Sequence, residues 1–258
     1  MSKALASTMR AMAGGVRATY PLILFVLIWE IVGRTGLVRP LFLPPFSMVL
    51  KQLYVTLVQG DLIPPLLTSL YRTAGGLLLA MAVGIPTGFL MVRSRAVAWL
   101  FDPIVAFGNP APKLALIPVF TLWFGIDHLS KIMLVALTTV FPFILSAAAG
   151  ARSVAVNQIW AARAMGSSEF TLLYRVVLWA SLPFLLSGLR VAVPTALLTT
   201  FTAEMVAGGG LGGALILAQR YFESPTVYAY LLVMLVCGYL LDVELLRLRR
   251  RLLHWYEG

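Results

Sequence analysis

Charged side chains are scarce in this sequence. Asp, Glu, Lys and Arg make up 12% of its 258 residues, where a soluble domain carries about 25%. The 10 acidic residues and two histidines are scattered. No nucleophile, base and orienting group fall together, so a membrane-embedded enzyme ranks last among the readings. No metal site is expected: Asp127-His128 is a weak ligand pair, and His254 is far from it in sequence. The one cysteine, Cys237, lies in an apolar run. It forms no internal disulfide and reads as a packing residue. No polar domain, low-complexity linker or internal repeat is visible. A stand-alone secondary transporter is therefore left without its usual repeat signature.

What the chain has instead is apolar length. Hydrophobic residues make up 60%, and the mean hydropathy is +0.91. So few polar groups cannot shield this much apolar surface from water, which places the chain in the membrane class. The net charge of +10 would suggest nucleic acid in a soluble domain. Here no polar domain carries it, so nucleic acid is not an expected partner, and the basic residues read as flanks of membrane spans.

A crossing needs about 20 mostly apolar residues for roughly 30 Å of hydrocarbon. Six stretches qualify: 17–32, 69–92, 97–119, 129–149, 176–201 and 227–241. Gly75-Gly76, Gly84 and Pro86 lie inside the second, where small residues let helices approach closely. Asn109-Pro110-Ala111-Pro112 breaks the third, and Pro183 and Pro194 interrupt the fifth. Between the first two, Pro40 to Pro45 ends any helix, and a short amphipathic helix over 47–58 is expected with Ser47 as its cap. Six crossings put both ends on one side. The larger share of the 20 Lys and Arg falls in the segments shared with the N-terminus, including Arg93, Arg95, Arg152, Arg163, Arg175 and the tail arginines 247 and 249–251. That bias predicts both termini in the cytoplasm. The start of the chain lacks the compact apolar stretch of a cleaved signal. The expected organisation is a cytoplasmic tail over 1–16, a transmembrane domain over 17–242 with a cytoplasmic loop at about 150–175, and a basic tail over 243–258.

The inner loop is the informative segment. Ala161, Ala162 and Ala164 favour helix, Gly166 can end it in the left-handed conformation, and Ser167 or Ser168 can cap the next helix. A helix, a sharp turn and a second helix result. Such a short helix suits a partner's groove, or serves as an ordinary interfacial connector.

Two further positions stand out in the fifth span. Glu204 sits beside Thr199, Thr200 and Thr202. An ionisable group at membrane depth is costly and faces a cavity or the bundle interior, so Glu204 and Thr200 are candidates for a gate or pathway lining. A structural hydrogen bond to a neighbouring helix weighs equally. Arg190 could attract an anionic solute, pair with Glu204 across helical turns, or snorkel. The Gly208–Gly213 run lacks the Gly-Lys-Ser/Thr ending of a phosphate loop and reads as an outer turn before a helix.

The loop resembles the signature of permease subunits of bacterial ATP-binding-cassette importers. Ala161, Ala162 and Gly166 match its alanine pair and glycine, and Leu182-Pro183 follows. Trp160 stands where that family usually carries glutamate, and Trp179 where a first proline is common. Pro112-Lys113-Leu114-Ala115-Leu116-Ile117-Pro118, Leu122 to Asp127, Ser130-Lys131-Ile132, Ala203-Glu204-Met205 with Gly210-Leu211-Gly212, and Phe42 to Ser47 resemble the nitrate, sulfonate and taurine branch. The resemblance runs from about residue 43 to the C-terminus. It implies an all-α integral membrane protein with about six transmembrane helices and a type I importer permease fold. It implies a site for ATPase coupling at Trp160, Ala161, Ala162, Met165 and Gly166. It implies a second permease copy, a cytoplasmic ATPase dimer that alone binds ATP and magnesium, and a periplasmic or lipid-anchored solute-binding protein, in a bacterial inner membrane. Similar permeases also handle vitamin precursors such as pyrimidines or riboflavin.

Overall fold

Every regular element among the described residues is helical. Without water each backbone amide and carbonyl needs an internal partner, and a helix supplies one along its own axis. The structure, a computed structural model, describes residues 20–254; the expected tail over 1–16 lies outside that range. In chain order the helices are α1 over 20–34, α2 (Phe46–Gln59), α3 (Ile63–Arg93), α4 (Arg95–Gly108), α5 (Ile117–Phe124), α6 (His128–Ser153), α7 (Val156–Ala164), α8 (Glu169–Leu172), α9 (Leu178–Ala207), α10 (Gly210–Arg220) and α11 (Ser224–Leu252). A 3-10 turn at Lys113–Leu116 precedes α5, and a π turn at Leu173–Val177 joins α8 to α9.

Among the described residues, four helical stretches are long and apolar enough to cross a bilayer: α3, α6, the run Glu169–Ala207, and α11. They stand where the second, fourth, fifth and sixth crossings are expected. The third is a bent pair. α4 and Lys113–Phe124 meet at 92°, at the Asn109-Pro110-Ala111-Pro112 break. The first expected crossing, 17–32, falls partly outside the described residues, and 20–34 is helical. Two expectations change in detail. α9 runs unbroken through Pro183 and Pro194, because a long apolar helix tolerates proline where a break would strand backbone groups in lipid. α11 continues to Leu252, so the start of the basic tail is helical.

The described residues divide into two compact units, one of 20–61 with Leu215–Leu232 and one of Leu62–Ala214 with 233–254. In the first unit the proline-rich turn is tied down by side chains. The Trp29 indole donates to the Pro44 carbonyl at 2.9 Å, and the Tyr228 hydroxyl donates to the Phe42 carbonyl at 2.7 Å. Glu30 accepts the Ser47 amide at 2.9 Å and the Ser47 hydroxyl at 2.8 Å. Ser47 therefore does not cap α2. That helix begins one residue earlier, after Pro45, with no side-chain cap, because the Ser47 hydroxyl is drawn to the stronger, charged acceptor.

In the second unit α3, α6 and α9 pack side by side, with α6 between the other two. Phe143 of α6 joins Ala80 and Ala192, and Ala147 joins Phe89 and Leu185. Leu134 packs with Ile117, Phe120 and Ala203. The α3–α6 seam is built on small residues at every fourth position. A Cβ on Gly76 would overlap Val135, one on Gly84 would meet the Val140 carbonyl and Phe143, and one on Gly88 would meet the Ile144 carbonyl and Ala147. With Ala80 between them, these glycines let two backbones approach closely where dispersion, not water, drives association. α6 meets α9 in the same way, through Gly150 against Ser181 and Gly188 against Ser146.

Candidate functional site

Glu204 is wholly buried, and every bond it needs comes from within the second unit. α9 carries it on the face that meets α3. Its Oε1 accepts from Arg72 Nη1 at 2.8 Å. Its Oε2 accepts from the Ser69 hydroxyl at 2.7 Å and from the Gly212 amide at 3.1 Å. Ser69 in turn accepts the Leu211 amide at 2.9 Å. Arg72, itself 4% exposed, also donates from Nε to His128 Nδ1 at 3.2 Å. One helical turn away the hydroxyls of Thr73 and Thr200 pair at 2.9 Å. Lys131 is buried beside this cluster, and its ammonium donates to the Ile126 carbonyl.

The glycine run explains how one backbone amide reaches the carboxylate and the next reaches its Ser69 partner. Gly208, Gly209 and Gly210 all have positive φ (80°, 79° and 62°). A Cβ on Gly210 would fall inside the Glu204 carboxylate, so only glycine serves there. The run delivers the start of α10 to Glu204. A helix N-terminus offers free amides and a partial positive charge, and so binds anions. The Gly208–Gly213 turn thus performs anion-binding chemistry on the chain's own side chain. Sequence reasoning read this segment as a turn and missed Ser69, Arg72 and His128. The signal was present: a buried acid in one span calls for a base in another, and Arg72 lies inside the second.

Arg190 does not pair with Glu204. Its Nε donates to Asp242 at 3.2 Å, with both side chains part-exposed. From position 190 to 204 a helix rises about 21 Å, too far for the expected pairing. Nor do the two histidines meet, and no group of three His, Cys, Asp or Glu among the described residues could hold a metal ion.

The second feature is the hairpin after α6. α7 ends at Ala164 with Met165 as its C-cap, and Gly166 turns the chain at φ 78°. The Ser168 hydroxyl then accepts the Thr171 amide at 3.2 Å and caps α8. Helix, left-handed glycine and serine cap stand where the sequence predicts them. Burial separates the five coupling candidates. Ala162 is 4% exposed, while Trp160 and Met165 are 69% and 79% exposed. The inner side of α7 therefore packs on its own unit, and the large apolar side chains project away from it. No atom lies within 4 Å of a Cβ placed on Gly166, so a substitution there acts through conformation alone. Gly166→Val is expected to strain the turn by about 1–2 kcal/mol and to reduce transport activity, with little change in the thermal unfolding midpoint of the α3–α6–α9 bundle. Parallel assays of both quantities check this.

Known proteins resemble this chain along most of its length. The family described as binding-protein-dependent transport system inner membrane component matches residues 76–254. The taurine transport system permease protein TauC of Escherichia coli K12 is 35% identical over 235 residues, covering 89% of this chain and 86% of that protein. The putative aliphatic sulfonates transport permease protein SsuC of Bacillus subtilis 168 is 33% identical over 240 residues, covering 90% of this chain and 86% of that one. Among solved structures, an inward-facing MetNI methionine ABC transporter superposes with a TM-score of 0.63 at 20% identity, over 72% of this chain and 93% of that one. That match carries the fold of an importer permease. This chain belongs to the family of binding-protein-dependent transport system inner membrane components.

Proposed function

We propose that this chain is the membrane half of an ATP-driven importer for a small organic anion of the taurine or alkylsulfonate class. Two copies form the passage, a solute-binding protein delivers the anion, and separate ATPase subunits bind ATP and magnesium and supply the force. Both termini face the cytoplasm, and the chain itself catalyses no hydrolysis. The solute class rests on the relatives, and Glu204 is neutralised by Arg72, so no bare carboxylate there repels an anion. In this reading Glu204, Arg72 and Thr200 fix the glycine turn at the outer end of α9 and act as a gate. Arg190, nearer the middle of α9, lies along the route.

The observation that carries the reading is the hairpin. Exposed Trp160 and Met165 form an apolar knob held beyond the ends of α6 and α9 by a rigid turn. A knob of that kind fits a groove in a partner, and Trp160 fills the role of the missing glutamate by packing rather than by charge. Buried Ala162 holds the knob from behind.

Cysteines placed at Met165 and Trp160 should crosslink to the ATPase subunit in the assembled complex, while one at Ala162 should not. Uptake of taurine or an alkylsulfonate into proteoliposomes should need the binding protein, the ATPase and ATP together. Uptake by the chain alone, driven by an ion gradient, would defeat the reading. Uptake restricted to a pyrimidine or riboflavin would replace the solute class and keep the rest.

A further inference from the structure

Beside the hairpin the second unit holds a cavity of about 660 Å³, inside the roughly 300–1,000 Å³ range of small-molecule pockets. Its walls are apolar: Phe89 and Leu90 from the end of α3, Ile159 from α7, and Leu173, Tyr174 and Val177 from the π turn. The charged residues that line it are Arg93, Arg163 and Glu169. Both arginines reach the one carboxylate, Arg93 at 3.1 Å and Arg163 at 3.0 Å. The trio therefore keeps one net positive charge.

All three side chains are more than half exposed, at 64%, 51% and 55%. The mouth of the cavity is wet while its interior is apolar. Exposed ion pairs contribute little to stability, so either guanidinium can leave Glu169 for a better anion at small cost. Arginine matches phosphate with two parallel hydrogen bonds. Arg93 also closes the apolar run of α3, which sets the mouth at the depth where a span meets lipid headgroups. One wall is a π turn, a rare backbone form that concentrates at functional sites.

We propose that this cavity binds one anionic phospholipid, with an acyl chain against Phe89, Leu90 and Val177 and the headgroup phosphate on Arg93 and Arg163. Charge complementarity selects the occupant: a neutral amphiphile would leave the extra positive charge unused. Because α3 and α7 both line the cavity, the lipid touches a span and the hairpin together and sets how firmly one is held to the other. The binding stands on this geometry. The importer reading enters only in assigning the lipid to the cytoplasmic leaflet.

Native mass spectrometry of the purified full chain, titrated with phosphatidylglycerol or phosphatidylcholine, tests this. The tightest-bound lipid should be phosphatidylglycerol, by about fivefold, the value of one basic residue at a membrane surface. The double variant R93Q/R163Q should lose that preference. L90W narrows the cavity without touching the charges and should weaken retention of the lipid itself. E169Q frees both arginines and should tighten phosphatidylglycerol about fivefold; as a gain, it is not imitated by misfolding. Equal retention of the two lipids by the unaltered chain, or unchanged retention by L90W, overturns the proposal. Selective retention by a chain that supports no uptake even with the binding protein, the ATPase and ATP would sink the importer reading and leave this one standing.

Discussion

Replacing Glu204 by alanine should destabilise the α3–α6–α9 bundle by about 3–5 kcal/mol, the cost of breaking a buried ion pair from one side. The change leaves Arg72 charged at 4% exposure with only His128 beside it. It also strands the amide of Gly212 and leaves the Ser69 hydroxyl only the Pro65 carbonyl as acceptor. Glu204→Gln keeps an acceptor oxygen and should fall between the two. Removing both charges, in Glu204→Gln with Arg72→Met, should recover much of the loss, since an absent pair is cheaper than half of one. The thermal unfolding midpoint in detergent, taken around the full double-mutant cycle, gives the coupling. An alanine variant that unfolds with the unaltered chain would show that the pair is not what holds α9 to α3.

The second large effect is expected at the seam between α3 and α6. Gly88→Leu must place a side chain where the Ile144 carbonyl and the Ala147 methyl already stand. Backbone cannot step aside as a flexible side chain can, so the two helices must part. Overpacking of this kind costs about 1–3 kcal/mol, and the upper end is expected because one obstacle is main chain. Gly238 supplies the contrast. A Cβ there meets nothing within 4 Å, so Gly238→Leu should be neutral or should stabilise α11 by up to about 1 kcal/mol through helix propensity. The unfolding midpoint of the Gly88 variant should therefore fall, while that of the Gly238 variant holds or rises. Equal shifts would mean that glycine acts at Gly88 through flexibility and not through space.

Much of the scaffold was legible because its cause is one-dimensional. Apolar length gave α3, α6, α9 and α11, and two prolines after Asn109 gave the bend between α4 and α5. Alanine, then glycine, then serine gave the hairpin at Gly166. Those signals depend only on neighbours in sequence. What stayed hidden depends on neighbours in space. Nothing near Ser47 announces that Glu30 would claim its hydroxyl. The Arg72–Glu204 pair was half visible, since Glu204 stood out in its span while Arg72, near the start of the second, went unremarked. One of the three alternatives for Arg190, pairing with Glu204, fails on helix rise, a constraint that the sequence itself contains. Ala162 was grouped with its neighbours in the loop because sequence pattern does not say which side of a short helix turns inward.

The ion pair between α3 and α9 joins residues 132 apart in the chain. A ribosome must finish α4, α5, α6 and the hairpin before Glu204 exists. Throughout that interval Arg72 is a lone cation near one end of a nascent apolar helix, and its place is at the aqueous edge of the membrane. α3 therefore carries its cation without this partner until α9 has been made. The order of synthesis becomes an order of assembly, with the last partner acting as the latch.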